Sequence, residues 1–181
     1  MSPRPNRWRT GLLIAIAAVL AVGVGVVAVR ARKGPLDTAT PTFVHDEPAG
    51  VGWMMAAKPT ETATPAAAGG RITRRTYVAK AGGHATTVAV YDLNGGTFDL
   101  RRSLHGAADG LGCTLIHETS PEISGHEARR ADFEACSAGG HGTTELVELD
   151  DDHVLGVFTI TKSDIDEHAV VDAIVDTLVF D

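Results

Sequence analysis

The sequence is poor in aromatic side chains and in cysteine. Phe, Trp and Tyr make up 5% of the 181 residues, and the only cysteines are Cys113 and Cys136. With so few rings, a core must be built mainly from the small aliphatic residues, Ala and Val, that are abundant here. The length suits one domain with appendages, and the roughly 130 residues after the N-terminal linker can hold one modest core.

Acidic residues are missing from the first 33 positions, so charge is divided sharply along the chain. Six of the 16 Lys and Arg lie in that stretch, and the rest of the chain carries 10 Lys and Arg against 23 acids, a formal charge of −13. Binding to nucleic acid needs Lys and Arg to displace counterions, so this composition argues against a nucleic-acid partner. The same acidity is repelled by anionic lipid headgroups.

Charged side chains are also missing from residues 11–29. A helix of that length spans roughly 28 Å, close to the hydrocarbon thickness of about 30 Å. Trp8 lies at one boundary, where an indole ring favours the headgroup region, and basic residues lie at both ends. The sequence therefore predicts a basic cytoplasmic N-terminus over 1–10, a transmembrane helix over 11–29, a tether over 30–42 and a globular domain over 43–181.

A cleaved signal peptide and a buried core helix are the alternatives to this anchor. The apolar region of a signal peptide is usually about 7–15 residues long, shorter than this run, and Val29-Arg30-Ala31 is a poor cleavage site. Three Lys or Arg lie on each side of the run, so the positive-inside count is tied. The free amine, the acidic domain and the two cysteines favour a single-pass protein of the cell membrane with its C-terminal domain outside.

Catalytic and nucleotide-binding motifs are absent: the chain has no H-E-x-x-H, no G-x-S-x-G, no Walker loop and no G-x-G-x-x-G. Its eight histidines are scattered, and neighbours such as His117 and Glu118 point to opposite faces of a strand. The run Asp150–Asp152 before His153 lacks the Gly and the terminal Glu of a calcium loop. The sequence predicts no metal, no cofactor and no enzymatic activity, although an enzyme with an unrecognised site stays open.

The segments after the tether predict an α+β fold, an α/β/α sandwich with a mainly antiparallel central sheet. Residues Lys58–Gly70 are predicted to form a loop between two strands. A first helix is predicted to be capped by Thr97, and a second to begin at Ser163 with Asp166 in its first turn. Strands are predicted at residues 43–45, 53–56, 71–80, 85–93, 113–118, 126–136, 143–149 and 153–161.

The two cysteines bracket a predicted hairpin whose midpoint lies near residue 124.5, within the turn at Ser124-Gly125. Residues equidistant from a turn face each other, so Cys113 and Cys136 are predicted to form a disulfide outside the membrane. Two independent buried thiols are the alternative. A zinc site is disfavoured because neither cysteine has a second sulfur or a histidine at ligand spacing.

Three arginine pairs are candidates for contact with an anion or a partner: Arg74-Arg75, Arg101-Arg102 and Arg129-Arg130. Arg74 and Arg75, beside the Lys58–Gly70 loop, are the predicted partner-binding residues, because loops on a rigid sheet commonly carry recognition. Surface ion pairs, for instance with Asp132 or Glu134, are the alternative interpretation.

The opening Phe43-Val44 with Pro48–Trp53 resembles the "F-x-V…P-x-G-W" start of PsbP-like domains. The segment Ile123–Arg130 is similar to that family's "i-x-G-x-x-a-x-r", and Ala169–Phe180 to its closing helix. The superfamily includes the photosystem II extrinsic protein, a Ran-binding nuclear import factor and actinobacterial envelope lipoproteins of the LpqN type. This chain departs from it by an inserted Val51 and by a transmembrane anchor in place of a lipidated cysteine.

The resemblance implies an α/β/α sandwich used for binding or scaffolding, and it carries over no catalytic residue. Together with the anchor it predicts a membrane-anchored, extracytoplasmic binding or assembly domain whose partner is an unknown protein or small molecule. A structural subunit of an envelope or secretion complex is the alternative.

Overall fold

The computed structural model describes residues 40–65, 72–82, 84–137, 139–161 and 165–181. The predicted membrane span and nearly all of the tether lie outside these ranges. The elements are β1 (Thr42–Asp46), a short 3-10 helix (Glu47–Ala49), β2 (Val51–Met55), β3 (Thr60–Pro65), β4 (Thr73–Ala81), β5 (His84–Asp92), α1 (Leu100–Leu111), β6 (Thr114–Thr119), β7 (Glu122–Ile123), β8 (His126–Glu134), β9 (His141–Glu148), β10 (His153–Thr161), α2 (Glu167–Val175) and β11 (Val179–Phe180).

Two antiparallel sheets organise the described chain. The large sheet has the order β3-β4-β5-β10-β9-β8-β6, with β7 paired to β8, and the small sheet has the order β1-β2-β11. Hairpins join β4 to β5 and β9 to β10, as the sequence predicts. The mainly antiparallel sheet with two helices is therefore confirmed.

The large sheet buries both of its faces. Successive side chains on a strand point to opposite faces, and Leu146 and Val147 of β9 accordingly belong to two separate cores. Leu146 packs in the core under α1, and Val147 packs in the core under α2 and the small sheet. The small sheet contributes the fully buried Trp53 to this second core, so it shares the α2 side of the domain.

Both helix starts differ from the predicted caps. Asp99, and not Thr97, is the N-cap of α1, because its carboxylate accepts a hydrogen bond from the N–H of Arg102 at 2.9 Å. Asp166 caps α2 in the same way, with the N–H of Ala169 donating at 3.1 Å. The predicted start at Ser163 lies outside the described ranges. Asp exceeds Thr as a cap because an anion also interacts favourably with the positive helix N-terminus.

The prediction of a loop over Lys58–Gly70 is wrong for residues 60–65, because Thr60–Pro65 is strand β3. It pairs with β4 from Thr60 opposite Val78 to Pro65 opposite Thr73. Its residues up to Thr64 are exposed, so the segment lacks the apolar alternation that identifies a half-buried strand. An edge strand of this kind is held by backbone hydrogen bonds to one neighbour. The pattern of its side chains therefore does not indicate a strand.

The closing helix is shorter than the resemblance implies. It ends at Val175, and Val179–Phe180 forms strand β11 opposite Gly52 and Val51 of β2. The buried face of α2 is Val171, Ile174 and Val175, whereas the predicted face members Ala169 and Ala173 are exposed. Neither helix in the described ranges has the length and hydropathy that a bilayer crossing requires.

Candidate functional site

A buried aspartate joins the two sheets. Asp46, at the end of β1, accepts hydrogen bonds from Arg75 Nε at 2.6 Å and Arg75 Nη2 at 2.9 Å. The Tyr77 hydroxyl donates to the same carboxylate at 2.9 Å, and the N–H of Ala49 donates at 3.1 Å. The Asp46 side chain is fully buried, and the two hydrogen bonds from Arg75 compensate for the loss of its hydration.

The same contacts shift the titration of the groups around Asp46. Burial, and then the hydrogen bond to Asp46, raise the pKa of Tyr77 well above its usual value. The hydrogen bond to Asp46 also raises the pKa of Arg75, although burial opposes it. Tyr77 in turn packs edge-on against Trp53, with ring centroids 5.1 Å apart. Asp46, Arg75 and Tyr77 thus form a fixed contact between the two sheets, in which the Asp46 carboxylate is paired with the Arg75 guanidinium.

A second buried carboxylate ties α2 to the large sheet. Glu145 of β9 is 1% exposed and accepts a hydrogen bond from Arg130 Nε at 2.9 Å. Arg130 also donates to Asp172 of α2 at 2.5 Å. Burial raises the pKa of Glu145, and the pairing with Arg130 opposes that effect only in part. Arg130, like Arg75, therefore pairs with carboxylates of the domain itself.

Two histidine–carboxylate pairs lie near the start of α2, in addition to the contacts of Arg130 with Glu145 and Asp172. His141 of β9 pairs with Glu167. His168 lies 3.3 Å from Asp132 of β8, whose carboxylate also accepts from Thr143 at 2.9 Å. These contacts fix the first turn of α2 on β8 and β9.

Two further arginines and a histidine lie around Glu118 of β6. Its carboxylate lies 3.5 Å from Arg101 of α1, 3.6 Å from Arg129 of β8 and 3.3 Å from His105. Arg101 and His105 are exposed, and contacts of this length at exposed side chains contribute only about 0–1 kcal/mol each. The arrangement holds α1 against the β6–β8 edge.

The small sheet presents an apolar surface to solvent on the side away from the core. The registers Phe43 opposite Met54 and Val179 opposite Gly52 place these four residues on one face, which we call the outer face. Phe43 and Val179 are each 54% exposed, and the third large apolar residue that is exposed in the described ranges, Ile116, lies on β6. Exposed apolar residues that cluster in this way mark contact surfaces.

Gly52 leaves room for the tip of the Phe43 ring. A Cβ at residue 52 would stand 2.4 Å from Phe43 Cζ, a distance that no side chain tolerates without displacing the ring. On the same face lies His45, the register partner of Gly52, and its Nε2 is 3.2 Å from Asp181 Oδ2. The outer face therefore carries the apolar side chains of Phe43, Met54 and Val179 together with one histidine–carboxylate pair.

The predicted cysteine pair is brought together. The Sγ atoms of Cys113 and Cys136 lie at disulfide distance, 2.07 Å. The hairpin register from His117 opposite Asp132 to Ile123 opposite His126 is centred at the predicted midpoint, and a register shift follows between Leu115 and His117. The bridge closes the end of the β6–β8 pair beside the C-terminus of α1.

The predicted partner-binding arginines are placed on opposite faces of β4. Arg75 is held by Asp46, while Arg74 Nη2 donates to Thr64 of β3 at 3.3 Å. Neither contact involves a partner, and their role in partner binding stays a prediction. Sequence reasoning missed the outer face, because Phe43, Gly52 and Val179 are brought together by pairing between the two ends of the domain. The motif Phe43…Gly52-Trp53 is the one sequence signal that touches it.

No group of three or more metal-ligating side chains occurs within the ranges that the structure describes. Asp150, in the acidic run, is instead bonded to its own turn: burial would raise the pKa of its carboxyl, but hydrogen bonds from His153 and from the Asp152 backbone lower it overall. The run is thus a hairpin turn, and its Asp152 also accepts hydrogen bonds from the N–H groups of Leu93 and Gly95.

The fold is similar to that of a solved protein. The solution structure of cyanobacterial PsbP (CyanoP) from Synechocystis sp. PCC 6803 matches with a TM-score of 0.55, covering 82% of this chain and 97% of that chain at 10% identity. No protein-family model matches the sequence, and no curated protein matches it. The PsbP-like fold is thereby confirmed, and at this identity the likeness carries the fold alone.

Proposed function

We propose that the chain is a membrane-anchored, extracytoplasmic binding or assembly domain that works without catalysis and meets its partner through the outer face. The observation that carries the proposal is the concentration of exposed large apolar side chains, Phe43 and Val179, on one face of the small sheet. Leaving such a surface in water costs roughly 25 cal/mol per Å² of apolar area, which a partner would remove.

The distribution of charge supports the same role. Among the acids that the structure describes, Asp46 and Glu145 are fully buried, and each is paired with an arginine that links structural elements. These pairs are committed to the fold, which leaves the exposed surfaces to mediate contacts. The PsbP-like fold contributes an analogy and no site residue, because function depends on the site and is not defined by the fold.

The location of the domain rests on two further observations. The uncharged run over 11–29 between basic flanks supports the anchor. The disulfide-distance pair Cys113–Cys136 supports an oxidising compartment outside the cytoplasmic membrane.

The test is site-specific photo-crosslinking of the full-length chain in its native membranes. A benzophenone amino acid replaces Val179 on the outer face, and in a matched control it replaces Ile116, the exposed apolar residue of β6. We expect a discrete crosslinked product of defined mass from position 179 and little from position 116. Equal labelling at both positions, or no product from position 179, would remove the outer face as the contact surface.

A further inference from the structure

We propose that four histidines make the docking of the C-terminal part of the domain pH-dependent, so that this part is held more firmly in mildly acidic than in mildly alkaline solution. We call residues 167–181, which include α2 and β11, the C-terminal unit. The inference concerns contacts within the domain and does not require the proposed function. The four histidines, each of which joins the C-terminal unit to the rest of the domain, are His45, His126, His141 and His168.

Two of these contacts fix the first turn of α2. His141 of β9 pairs with Glu167, and His168 of α2 lies 3.3 Å from Asp132 of β8. The two imidazole side chains are 42% and 48% exposed, so both can exchange protons with the solvent. Histidine is the side chain that ordinarily changes its charge between about pH 5 and 8. A protonated imidazole is attracted by the carboxylate beside it more than a neutral one is, so acid strengthens both pairs.

The other two contacts fix β11. His126 Nδ1 lies 3.0 Å from the carbonyl oxygen of Glu148, which only accepts hydrogen bonds, so this nitrogen carries a proton and a second proton is taken up at Nε2. The His126 ring is stacked on Phe180 with centroids 4.3 Å apart, and a cation is attracted by a phenyl face at this distance. Beside β11, His45 Nε2 lies 3.2 Å from Asp181 Oδ2. Protonation therefore strengthens both of these contacts as well.

Arg130 is the cation that faces α2 from the large sheet. It donates to Asp172 of α2 at 2.5 Å and to Glu145 of β9 at 2.9 Å. Arginine stays charged at every pH considered, so its contact with Asp172 is constant. Burial raises the pKa of Glu145, but a proton on Glu145 leaves Arg130 paired with Asp172. This part of the contact therefore does not oppose the response of the histidines.

Groups of both signs surround His168. The positive N-terminus of α2 opposes a charge on its imidazole, whereas Asp132 and Asp172, one turn further along the helix, favour it. His117 of β6 is a second imidazole opposite Asp132 in register. The other acids next to these histidines, in their strand pairs or at the ends of α2 are Asp46, Glu122, Glu127, Glu148, Asp166 and Asp176. Acid thus adds positive charge where carboxylates predominate.

Hydrogen exchange of the backbone amides tests the inference on the full-length chain, with rates corrected for the chemical effect of pH. Between about pH 5.5 and 8, the opening constant of α2 and β11 should rise roughly threefold or more relative to that of β5 and β10, because four weak contacts are lost together. The variant His141→Gln with His168→Gln should lose at least half of this rise. The matched control is His105→Gln, which removes an exposed histidine–carboxylate pair from α1 and should keep the whole rise.

Three results would overturn the inference. They are an opening constant that does not rise relative to the reference strands, an equal rise in the double variant and the wild type, and an equal loss of the rise in the control. His168→Gln alone, at a half-exposed position, serves as a second variant if the double variant is not folded by circular dichroism, and it should lose part of the rise. None of these measurements depends on crosslinking from position 179, so their failure leaves the proposed function standing.

Discussion

Arg75 of β4 donates two hydrogen bonds, at 2.6 and 2.9 Å, to the carboxylate of Asp46 of β1, across the junction between the large and the small sheet. The two residues are 29 positions apart in the chain. Because the outer face belongs to the small sheet, this ion pair positions the candidate contact surface relative to the rest of the domain.

Arg75→Ala should lower the free energy of unfolding by about 3–5 kcal/mol, because it leaves the fully buried Asp46 carboxylate without its cation. Urea denaturation of the domain measures the loss. Lys80→Ala removes an exposed cation from the same strand and should change stability by less than about 0.5 kcal/mol. Equal effects of the two substitutions would show that the buried pair contributes no more than a surface charge.

Removing the disulfide should destabilise the domain by about 3 kcal/mol in the chain-entropy model, for a loop with a sequence separation of 23. The variant is Cys113→Ala with Cys136→Ala, and thermal unfolding compares it with the oxidised protein. Intact mass of the native protein should be lower by two hydrogen atoms than that of the reduced chain. Complete alkylation of both thiols under native, non-reducing conditions would contradict the pairing.

Glu145→Gln should make stability depend less on pH. Burial raises the pKa of Glu145 in the folded state above its unfolded value, so the folded state holds a proton that the unfolded state releases. This contribution is full below the unfolded value, about 4.3, and is lost as pH rises through the folded pKa. Because glutamine resembles the protonated carboxyl, the variant should match the wild type most closely near pH 4 and become more stable relative to it as pH rises.

Denaturant titrations across that interval measure the effect of Glu145→Gln, and Glu127→Gln, an exposed acid of β8, is the control with no such trend. A deficit that grows toward pH 7 would mean that the Arg130 ion pair outweighs burial.

Two glycines should respond differently to alanine. At Gly142 a Cβ would stand 2.2 Å from the Thr159 carbonyl oxygen, which is fixed in the sheet, so Gly142→Ala should cost at least about 1–3 kcal/mol. At Gly52 the obstacle is the exposed Phe43 ring, which can rotate away at a smaller cost. In a Phe43→Ala background the cost of Gly52→Ala should vanish. A cost that is unchanged in that background would place the strain elsewhere.

Protease added to intact spheroplasts should remove the domain over 43–181 and leave a short protected fragment. The reason is the predicted orientation, which follows from the charge division and the cysteine pair. Detection uses an N-terminal and a C-terminal tag in parallel, and lysed cells are the control. Protection of the C-terminal tag until lysis would reverse the orientation.

Local sequence signals accounted for the elements that bury an apolar face. The hairpin of β9 and β10 and the helix α1 follow directly from periodicity, because their side chains meet a core on a regular spacing. The register of the β6–β8 pair followed from the midpoint between two cysteines. Strand β3 and strand β11 could not be predicted in this way, since pairing of backbone groups with distant partners holds them in place.

The sequence by itself determined the antiparallel α+β fold, the pairing of Cys113 with Cys136 and the division of the chain into a basic, apolar start and an acidic domain. These depend on hydropathy, turn residues and spacing, which are local properties. Only the tertiary structure decided which arginines turn inward, because Arg75 and Arg130 are fixed by acids at distant positions, Asp46 and Glu145. It also created the outer face, because β2 pairs with strands from both ends of the domain and so brings Phe43 and Val179 together over Gly52.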